Sequence, residues 1–335
     1  MADATGDLDL QTLVGTRKGP YCSFHPVSQV QIWQWCAALG DDNPLYLDET
    51  YRAAAGYDRA VAPPAMMQMW TMRDVRMRYA PGSTDAAPYE VFDVLKAHGV
   101  LGNVAVSYDI TFHRLLLEGD RAHHYTTIVS ISDLKTTALG NGYFVTERVE
   151  YLDQDNALFA EALITYFQYT PAQSSHDQDD TIQDSPPPTA ARPWQSDYSD
   201  LAYTSLVEGT ELPELAIPIT HKLIVSGAVA TQDFIDVHHN APAAREAGMP
   251  DIFMNILSTS GLCARYLTDW AGPGSRLRKL KFNLLAPNTP GDTMVMQGVV
   301  KSLSQDDSRL ADIEFGGRNR LGFHVSGTAT LAFPE

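Results

Sequence analysis

The chain contains 335 residues, 44% of them hydrophobic and 19% charged, which is typical of a globular protein long enough for two cores. Its formal net charge of -17 argues against nucleic acid and anionic membrane surfaces as partners. No apolar run is long enough to cross a bilayer, and the acidic N-terminus is unlike a secretory or mitochondrial leader.

The three cysteines, Cys22, Cys36 and Cys263, have neither the spacing of a metal site nor that of a disulfide framework. Buried, reduced thiols are the simplest interpretation, and reduced thiols are typical of the cytoplasm. We therefore expect a cytoplasmic protein that binds no metal ion.

The first half begins with irregular and helical sequence and ends in strands. The loop GDDNPLY precedes an alanine-rich helical turn that ends at Gly56. The apolar segment AMMQMWTMRDVRMRY predicts a long helix over 65–79. Three segments rich in β-branched and aromatic residues then predict strands: TTIVSISDL, YFVTERVEYL and EALITYFQY.

An acidic segment rich in Ser and Pro follows, and it contains Pro186-Pro187-Pro188. Such a composition does not support a packed core and predicts an extended linker. We place this linker at 172–205, between an N-terminal domain at 1–171 and a C-terminal domain at 206–335.

The second half repeats this order of elements. A loop containing Asp233 and His238 precedes an alanine-rich turn that ends at Gly248. The segment MNILSTSGLCARYLTDW predicts a long helix over 254–270. Four further segments predict strands: LRKLKFNLL, DTMVMQGVV, LADIEFG and FHVSGTATLAF. One long helix wrapped by an antiparallel sheet, twice, is an α+β architecture.

The spacing of these features matches between the halves. The interval from Asp41 to Gly56 equals that from Asp233 to Gly248, and both glycines are placed to end a short helix in the left-handed conformation. A Gly-Asp pair also precedes a predicted strand in each half, at Gly119-Asp120 and Gly291-Asp292. Several matched intervals together indicate a duplicated domain.

The first-half segment GDDNPLYLDETYRAAAGYDRAVAPPAMM resembles the signature of MaoC-like hydratases. In that family a Gly-Asp-x-Asn-Pro-Leu-His loop is followed by an Ile-Ala-His-Gly turn. The resemblance implies a double hot-dog fold and an enzyme that adds water across the double bond of a 2-enoyl-CoA, using the Asp and the His. It implies no cofactor, because coenzyme A is part of the substrate.

The first half departs from this signature at two functional positions. Tyr46 stands where the family has its histidine, and a phenol with a pKa near ~10 is a poor base at neutral pH. The turn that should offer a backbone N–H to the thioester oxygen contains Pro63 and Pro64, which have none. We expect the first half to be catalytically inactive.

The second half keeps the catalytic pair. Asp233 and His238 have the family's separation, although its Asn-Pro scaffold between them is lost. Asn255 stands at the oxyanion position, at the start of a long helix whose N-terminus favours developing negative charge. We expect the pair to hold one water against the β-carbon, while the Asn255 N–H binds the thioester oxygen. Which member of the pair makes each proton transfer is left open.

Basic residues cluster on a predicted strand of this acidic chain: Arg276, Arg278, Lys279 and Lys281, with Arg318 further along. One interpretation is a solvated strand face. The other is a binding site for the phosphates of coenzyme A. We keep these five residues as candidate coenzyme A contacts.

The likeness continues through both halves, which resemble the degenerate and the active subunit of actinobacterial steroid side-chain enoyl-CoA hydratases. It implies a steroid enoyl-CoA thioester, from sterol or bile acid side-chain degradation, as the substrate, and a homodimer of the fused chain. It also implies an aldolase or a lipid-transfer-type thiolase as a further partner. We expect any such partner to bind by a route other than the aldolase-docking domain of the family's larger subunit, or not to bind at all.

The stretch between the first predicted helix and Gly119, about forty residues long, is irregular and includes YAPGSTDAAPYEVFDVLKAHGVLGN. One hypothesis is that it opens the pocket to a multi-ring acyl group, and the alternative is a surface loop without a ligand role. Two other functions stay open at this point: a hydratase of straight-chain enoyl-CoA, and a non-catalytic scaffold subunit that binds acyl-CoA.

Overall fold

Strand-forming segments from both halves join one antiparallel sheet. A computed structural model describes residues 10–171, 186–191, 193–306 and 308–334. The first half contributes β1 (Arg17–Cys22), β2 (Gly102–Phe112), β3 (Ala122–Ile131), β4 (Lys135–Thr137), β5 (Gly140–Asp153) and β6 (Leu158–Pro171). The second half contributes β7 (Glu211–Ile219), β8 (Arg276–Leu284), β9 (Asp292–Leu303), β10 (Leu310–Asn319) and β11 (Gly322–Ala332). The seven predicted strands are confirmed, whereas β1, β2, β4 and β7 were not predicted.

The order of the strands shows how the halves are joined. It runs β1-β3-β5-β6-β2-β8-β11-β10-β9-β7, with β4 paired to β5. The junction is the antiparallel pair β2–β8, in which Tyr108 lies opposite Phe282 and Ile110 lies opposite Leu280. All four side chains are buried, so this junction is packed on its inner face as firmly as the interior of either half. The main hydrophobic core accordingly runs through both halves without a break.

Seven α-helices lie in the described ranges. They are α1 (Gln29–Leu39), α2 (Pro44–Leu47), α3 (Glu49–Ala54), α4 (Glu90–Ala97), α5 (His221–Ala230), α6 (Ala241–Glu246) and α7 (Ile256–Ala271). In these ranges no helix combines the length and the apolar character needed to cross a membrane.

Helix α7 confirms the long helix predicted for the second half. Asn255 caps its N-terminus by accepting a hydrogen bond from the Ser258 N–H, at 2.8 Å. Fourteen of its 16 residues are buried, which is the pattern of a helix enclosed on every side. It packs against the strands β7 and β8 and against the helices α1 and α5.

The long helix predicted over 65–79 in the first half is wrong. The chain there forms two short 3-10 turns, Pro64–Met67 and Met69–Thr71, and then leaves helical geometry. The Asp74 carboxylate accepts hydrogen bonds from the backbone N–H groups of Arg76 and Arg78, and Met77 has a left-handed φ of 59°. These local bonds close a turn that competes with the apolar helical pattern.

A smaller hydrophobic cluster covers part of the first-half sheet. Val91 and Leu95 of α4 are buried against Ile128 of β3 and Val145 of β5. Helix α4 thus shields one region of the sheet, and no long helix crosses the remainder in the described part of this half.

The linker predicted at 172–205 lies partly outside the described residues, at 172–185 and at 192. The later part of the linker is in contact with the second half. The Leu201 N–H donates to the Ala271 carbonyl at 3.1 Å, and the Gly274 N–H donates to the Asp200 carboxylate at 2.6 Å. Trp194 and Leu201 pack against the main core. The domain boundaries at 171/172 and 205/206 stay a prediction.

Gly261 sets how closely α7 approaches α1, which allows a test of the packing. A Cβ at this position would lie 2.8 Å from Trp35 Cζ2 and would also clash with Leu39 Cδ1, and both side chains are buried. We expect Gly261→Ala to lower the free energy of unfolding by about 1–3 kcal/mol, through overpacking. Denaturant unfolding measures this change.

The double variant Gly261→Ala/Leu39→Ala provides the control. Leu39→Ala alone removes buried methyl groups and is destabilising, but it also makes room for the new Cβ. The two changes should therefore combine to less than the sum of their separate effects. Strict additivity would contradict the close packing inferred for this contact.

Candidate active site

The loop that carries Asp233 is positioned by the end of α5. Gln232 adopts a left-handed φ of 56°, and the Asp233 N–H donates to the Ala228 carbonyl at 2.9 Å. This is a Schellman-type helix ending, which reverses the chain direction. It places the Asp233 side chain beside the start of α7.

The first half repeats this geometry, as the duplication predicts. Helix α1 ends at Gly40, whose φ is 66°, and the Asp41 N–H donates to the Cys36 carbonyl at 2.9 Å. The predicted left-handed helix endings also agree, since φ is 86° at Gly56 and 87° at Gly248. Asp41 and Asp233 therefore occupy equivalent places in the two halves.

The Asn255 side chain holds Asp233 in position. Its Nδ2 donates to Asp233 Oδ2 at 3.0 Å and to Thr231 Oγ1 at 2.8 Å. Its Oδ1 is already engaged by the Ser258 N–H, so the orientation of the amide is fixed. Asp233 Oδ1 is buried, and it has no hydrogen-bond partner in the described part of the chain.

His238 lies on a 3-10 turn, Asp236–His238, next to Asp233. Its Nδ1 lies 2.8 Å from the Phe253 carbonyl, to which only a protonated Nδ1 can donate. In the neutral ring this leaves a lone pair on Nε2, which lies 3.6 Å from Asp233 Oδ2. The Phe253 ring meets the imidazole edge-on, with the ring centres 5.0 Å apart. The imidazole is thus held with its basic nitrogen beside the carboxylate.

Asp233, His238 and Asn255 line a cavity of about 500 Å³ at the boundary between the halves. The second half contributes these three residues, the loop after β8 and the start of α7. The first half contributes Gln68, Met72, Arg73 and Met77 from the predicted but absent helix, and Ala87, Pro88, Tyr89 and Phe92 from the loop before α4 and the first turn of that helix. The volume is in the range of small-molecule sites. The three predicted catalytic residues are therefore brought together at one cavity.

His324 on β11 also lines this cavity and was not predicted. Its Nδ1 lies 2.6 Å from the Ala286 carbonyl, and its Nε2 lies 2.9 Å from Thr259 Oγ1. Burial lowers the pKa of His324 to about 4, so the ring is neutral at physiological pH. Because both ring nitrogens have hydrogen-bond partners, His324 has a structural role: it links β11 to Thr259 of α7. The sequence offers only a polar residue within an apolar strand as its signal.

The equivalent place in the first half is filled by protein. Tyr46 is buried, and burial raises its pKa well above the ordinary value, so it is no base. Arg265 of α7 reaches across to this place, where its Nη1 donates to the Leu39 carbonyl at 2.8 Å and its Nε pairs with Asp269 at 3.2 Å. Neither Asp41 nor Tyr46 lines the cavity described above.

The five basic candidates for coenzyme A binding do not line the cavity. Arg278, Lys279 and Lys281 are exposed on β8, and Lys281 pairs with Asp109 at 2.8 Å. Arg276 donates to Tyr57 and to neighbouring carbonyls, and Arg318 lies over the Phe323 ring. Their role in binding phosphate stays a prediction, and this placement favours the solvated strand face.

The fold has counterparts among solved structures. A MaoC-like dehydratase superposes with a TM-score of 0.70 at 18% identity, covering 97% of this chain and 100% of its own. A Mycobacterium tuberculosis protein described as having a double hotdog fold gives a TM-score of 0.60 at 14% identity, covering 95% and 96%. The chain is thus a double hot-dog protein of the α+β class, as predicted.

Sequence comparison defines the family. A model of the FAS1-like dehydratase domain region matches residues 14–162. The chain is 41% identical over 129 residues to the beta subunit of the Mycobacterium tuberculosis 3-oxo-4,17-pregnadiene-20-carboxyl-CoA hydratase, 38% of this chain and 98% of that subunit. It is 32% identical over 218 residues to the alpha subunit of the hydratase of the same name, 64% of this chain and 67% of that subunit.

A probable enoyl-CoA hydratase alpha subunit from Thermomonospora curvata is 34% identical over 195 residues, 58% of this chain and 59% of that protein. The chain therefore spans about two thirds or less of the two alpha-subunit relatives. It belongs to the MaoC-like enoyl-CoA hydratase family, and its enzyme class is that of the hydro-lyases.

The buried carboxyl group of Asp41, in the first half, should make the stability of the protein depend on pH. Burial raises the pKa of Asp41 from 3.8 to about 6, against the attraction of Arg265. The folded protein therefore binds this proton more tightly than the unfolded chain does, and the stability so gained is lost as the pH rises through about 6. Asp41→Asn keeps an acceptor for the Asn43 N–H but cannot ionise.

We expect the stability of Asp41→Asn, relative to the wild type, to increase between pH 4 and pH 7 by up to about 3 kcal/mol. Chemical denaturation at several pH values measures this difference. Asp42→Asn, a change at the exposed neighbour, is the matched control and should show no comparable rise. A pH-independent difference for Asp41→Asn would contradict the inferred buried protonation.

Proposed function

We propose that the chain hydrates the 2,3 double bond of a steroid side-chain 2-enoyl-CoA to give the 3-hydroxyacyl-CoA. The observation that carries this proposal is the Asp233 carboxylate, whose Oδ2 lies 3.6 Å from His238 Nε2 and whose Oδ1 has no hydrogen-bond partner among the described residues, at the wall of one cavity. A water between these two groups finds one hydrogen-bond acceptor for each of its protons. No other water-activating arrangement of this kind is found in the described part of the cavity wall.

The reaction follows from these contacts. His238 Nε2 takes a proton from the water as its oxygen forms a bond to the β-carbon, while Asp233 Oδ1 accepts the second O–H. The developing negative charge on the thioester oxygen is stabilised by the Asn255 N–H at the N-terminus of α7. The imidazolium of His238 then delivers its proton to the α-carbon, which restores the neutral ring. Water and the thioester suffice for this chemistry, and no cofactor takes part.

The shape of the cavity supports a bulky acyl group. In the second half the long helix α7 packs on the inner face of the sheet. In the first half the corresponding segment forms only short 3-10 turns. Four residues of that segment, Gln68, Met72, Arg73 and Met77, line the cavity together with the stretch that includes Tyr89 and Phe92. We infer that this enlarged side receives a multi-ring acyl group.

The relatives support the same substrate class and suggest an assembly. Two of them are named as the beta and the alpha subunit of a hydratase acting on a pregnane carboxyl-CoA, and both match this single chain. We infer that the chain unites the functions of two such subunits and serves sterol or bile acid side-chain degradation in the cytoplasm. A homodimer of fused chains and an aldolase or lipid-transfer-type thiolase partner remain part of this proposal.

Loss of the enoyl-thioester absorbance on mixing the chain with a steroid enoyl-CoA measures the activity. We expect Asp233→Asn and His238→Gln to reduce kcat by about 10²- to 10⁴-fold, because the first removes the negative charge of the carboxylate and the second removes the basic ring nitrogen. The matched control is Tyr46→Phe, in the equivalent place of the first half, which should change kcat by less than about threefold. Mass spectrometry of the product should show the addition of one water.

Turnover that survives Asp233→Asn would contradict the assigned site. Tight binding of the thioester without turnover by the wild type would instead indicate a non-catalytic scaffold. Equal turnover of steroid and straight-chain substrates would contradict the inference that the cavity is shaped for a multi-ring acyl group.

Ala105 on β2 offers a test of that shape. It lines the cavity on the first-half side, and a large side chain there narrows the space for rings. We expect Ala105→Trp to lower the ratio of kcat/KM for a steroid enoyl-CoA to that for a short linear enoyl-CoA by at least about tenfold. Equal losses on both substrates would show that the acyl group lies elsewhere. Steady-state kinetics on the two thioesters measure the ratio.

A further inference from the structure

The first-half wall of the cavity carries a guanidinium group without a polar partner. Arg73 lines the cavity and is only partly exposed. Its contacts are with the rings of Tyr79 and Tyr89, whose centres lie 5.9 and 5.8 Å from the guanidinium carbon. Across the described ranges, no hydrogen bond or ion pair involves its N–H groups. Asp93 lines the same cavity but makes no ion pair with Arg73. A half-buried guanidinium without a polar partner is expected to bind an acceptor supplied by a ligand.

Gln68 adds a second donor to the same wall. Its Oε1 accepts the hydrogen bond of the buried Tyr108 hydroxyl, so the orientation of the amide is fixed. Its Nε2 is then directed away from that bond, and the only partner described for it is the Met72 sulfur at 3.8 Å, a weak acceptor. Gln68 and Arg73 lie on the segment that replaces the first-half helix.

Aromatic rings flank these donors. Tyr89 and Phe92 stack with their centres 5.2 Å apart, and Tyr166 meets both edge-on, at 6.4 and 5.0 Å. The three rings line the cavity. A flat, apolar ring system packs well on such a wall, while the two donors require an oxygen atom at its end.

We propose that Arg73 and Gln68 bind a ketone oxygen on the ring system of the acyl group, at the end remote from the thioester. This inference rests on the proposed function, because it takes the thioester to lie at the Asp233–His238 pair. That pair belongs to the second-half wall and the two donors belong to the first-half wall, so one acyl group spans the cavity between them.

The direction of the hydrogen bonds selects the functional group. Both side chains present N–H donors, so the matching group on the ligand is an acceptor. A ketone supplies two lone pairs and needs no donor in return. An oxygen-free ring would cover the half-buried guanidinium without offering it an acceptor, which is unfavourable. The two donors thereby favour an oxidised ring over a hydrocarbon one.

A phosphate of coenzyme A could satisfy the same guanidinium, and the experiment separates the two sources. Two steroid enoyl-CoA substrates are compared, one with a ring ketone and one with a methylene in its place. We expect Arg73→Met to lower the ratio of their kcat/KM values by about 10- to 100-fold, and Arg73→Lys to restore part of it. Gln68→Glu, which keeps the acceptor for Tyr108 but removes the donor, should lower the ratio as well.

Arg76→Met is the matched control, since Arg76 is exposed, lies three residues on and does not line the cavity. It should leave the ratio unchanged. Equal losses on both substrates after Arg73→Met would assign Arg73 to coenzyme A or to folding and would overturn the proposal, as would an unchanged ratio.

Calorimetric binding to Asp233→Asn separates this inference from the proposed function. If the wild type hydrated no steroid thioester, the proposed function would fail. The ketone site would still stand if Asp233→Asn bound the ketone-bearing thioester more tightly than the methylene one and lost that preference on Arg73→Met. Absence of a ketone preference in binding would overturn the site whatever the turnover.

Discussion

The amide of Asn255 is the contact on which the site depends. With its oxygen it caps α7, and with its nitrogen it holds the Asp233 carboxylate and the Thr231 hydroxyl. One side chain therefore couples the start of the central helix to the end of α5, where the Asp233 loop begins. Because both ends of the amide are engaged, the carboxylate is fixed with Oδ2 bound to Asn255 and with Oδ1 left without a hydrogen-bond partner among the described residues. The helix that stabilises the fold and the loop that carries the chemistry cannot shift independently.

The two halves use the same inherited loop in opposite ways. In the second half the carboxylate keeps a free oxygen at a cavity, while in the first half Asp41 lies among protein groups that include Arg265 of α7. The long helix is likewise kept in the second half and lost in the first. Helix α7 is complete and supplies an N-terminus, whereas the first-half segment forms two 3-10 turns and leaves a cavity. Loss of chemistry in one half thus coincides with a gain of space.

Local sequence predicted what depends on local geometry. The left-handed endings at Gly56 and Gly248, the seven strands and α7 follow from side-chain periodicity and from glycine's tolerance of positive φ. The prediction of a first-half helix failed because its apolar residues at 65–70 are buried in the main core on two 3-10 turns, and the Asp74 turn then ends helical geometry. Periodicity shows that residues are buried, but it does not distinguish a long helix from two short turns. Arg73, Gln68 and His324 were missed for a related reason, since only the assembled β2–β8 sheet brings them to the cavity.

The asymmetry between the halves has a physical reason. A hot-dog unit that shortens its central helix to admit a large acyl group removes the helix N-terminus on which a developing oxyanion depends. A unit that keeps the complete helix covers the inner face of its own sheet and leaves no room there for a large acyl group. One unit therefore cannot meet both requirements, but two units on a continuous sheet can divide them, provided that the thioester lies against one and the rings against the other. The β2–β8 junction holds the two walls in register, so the distance from the catalytic pair to the aromatic wall is set by the sheet itself.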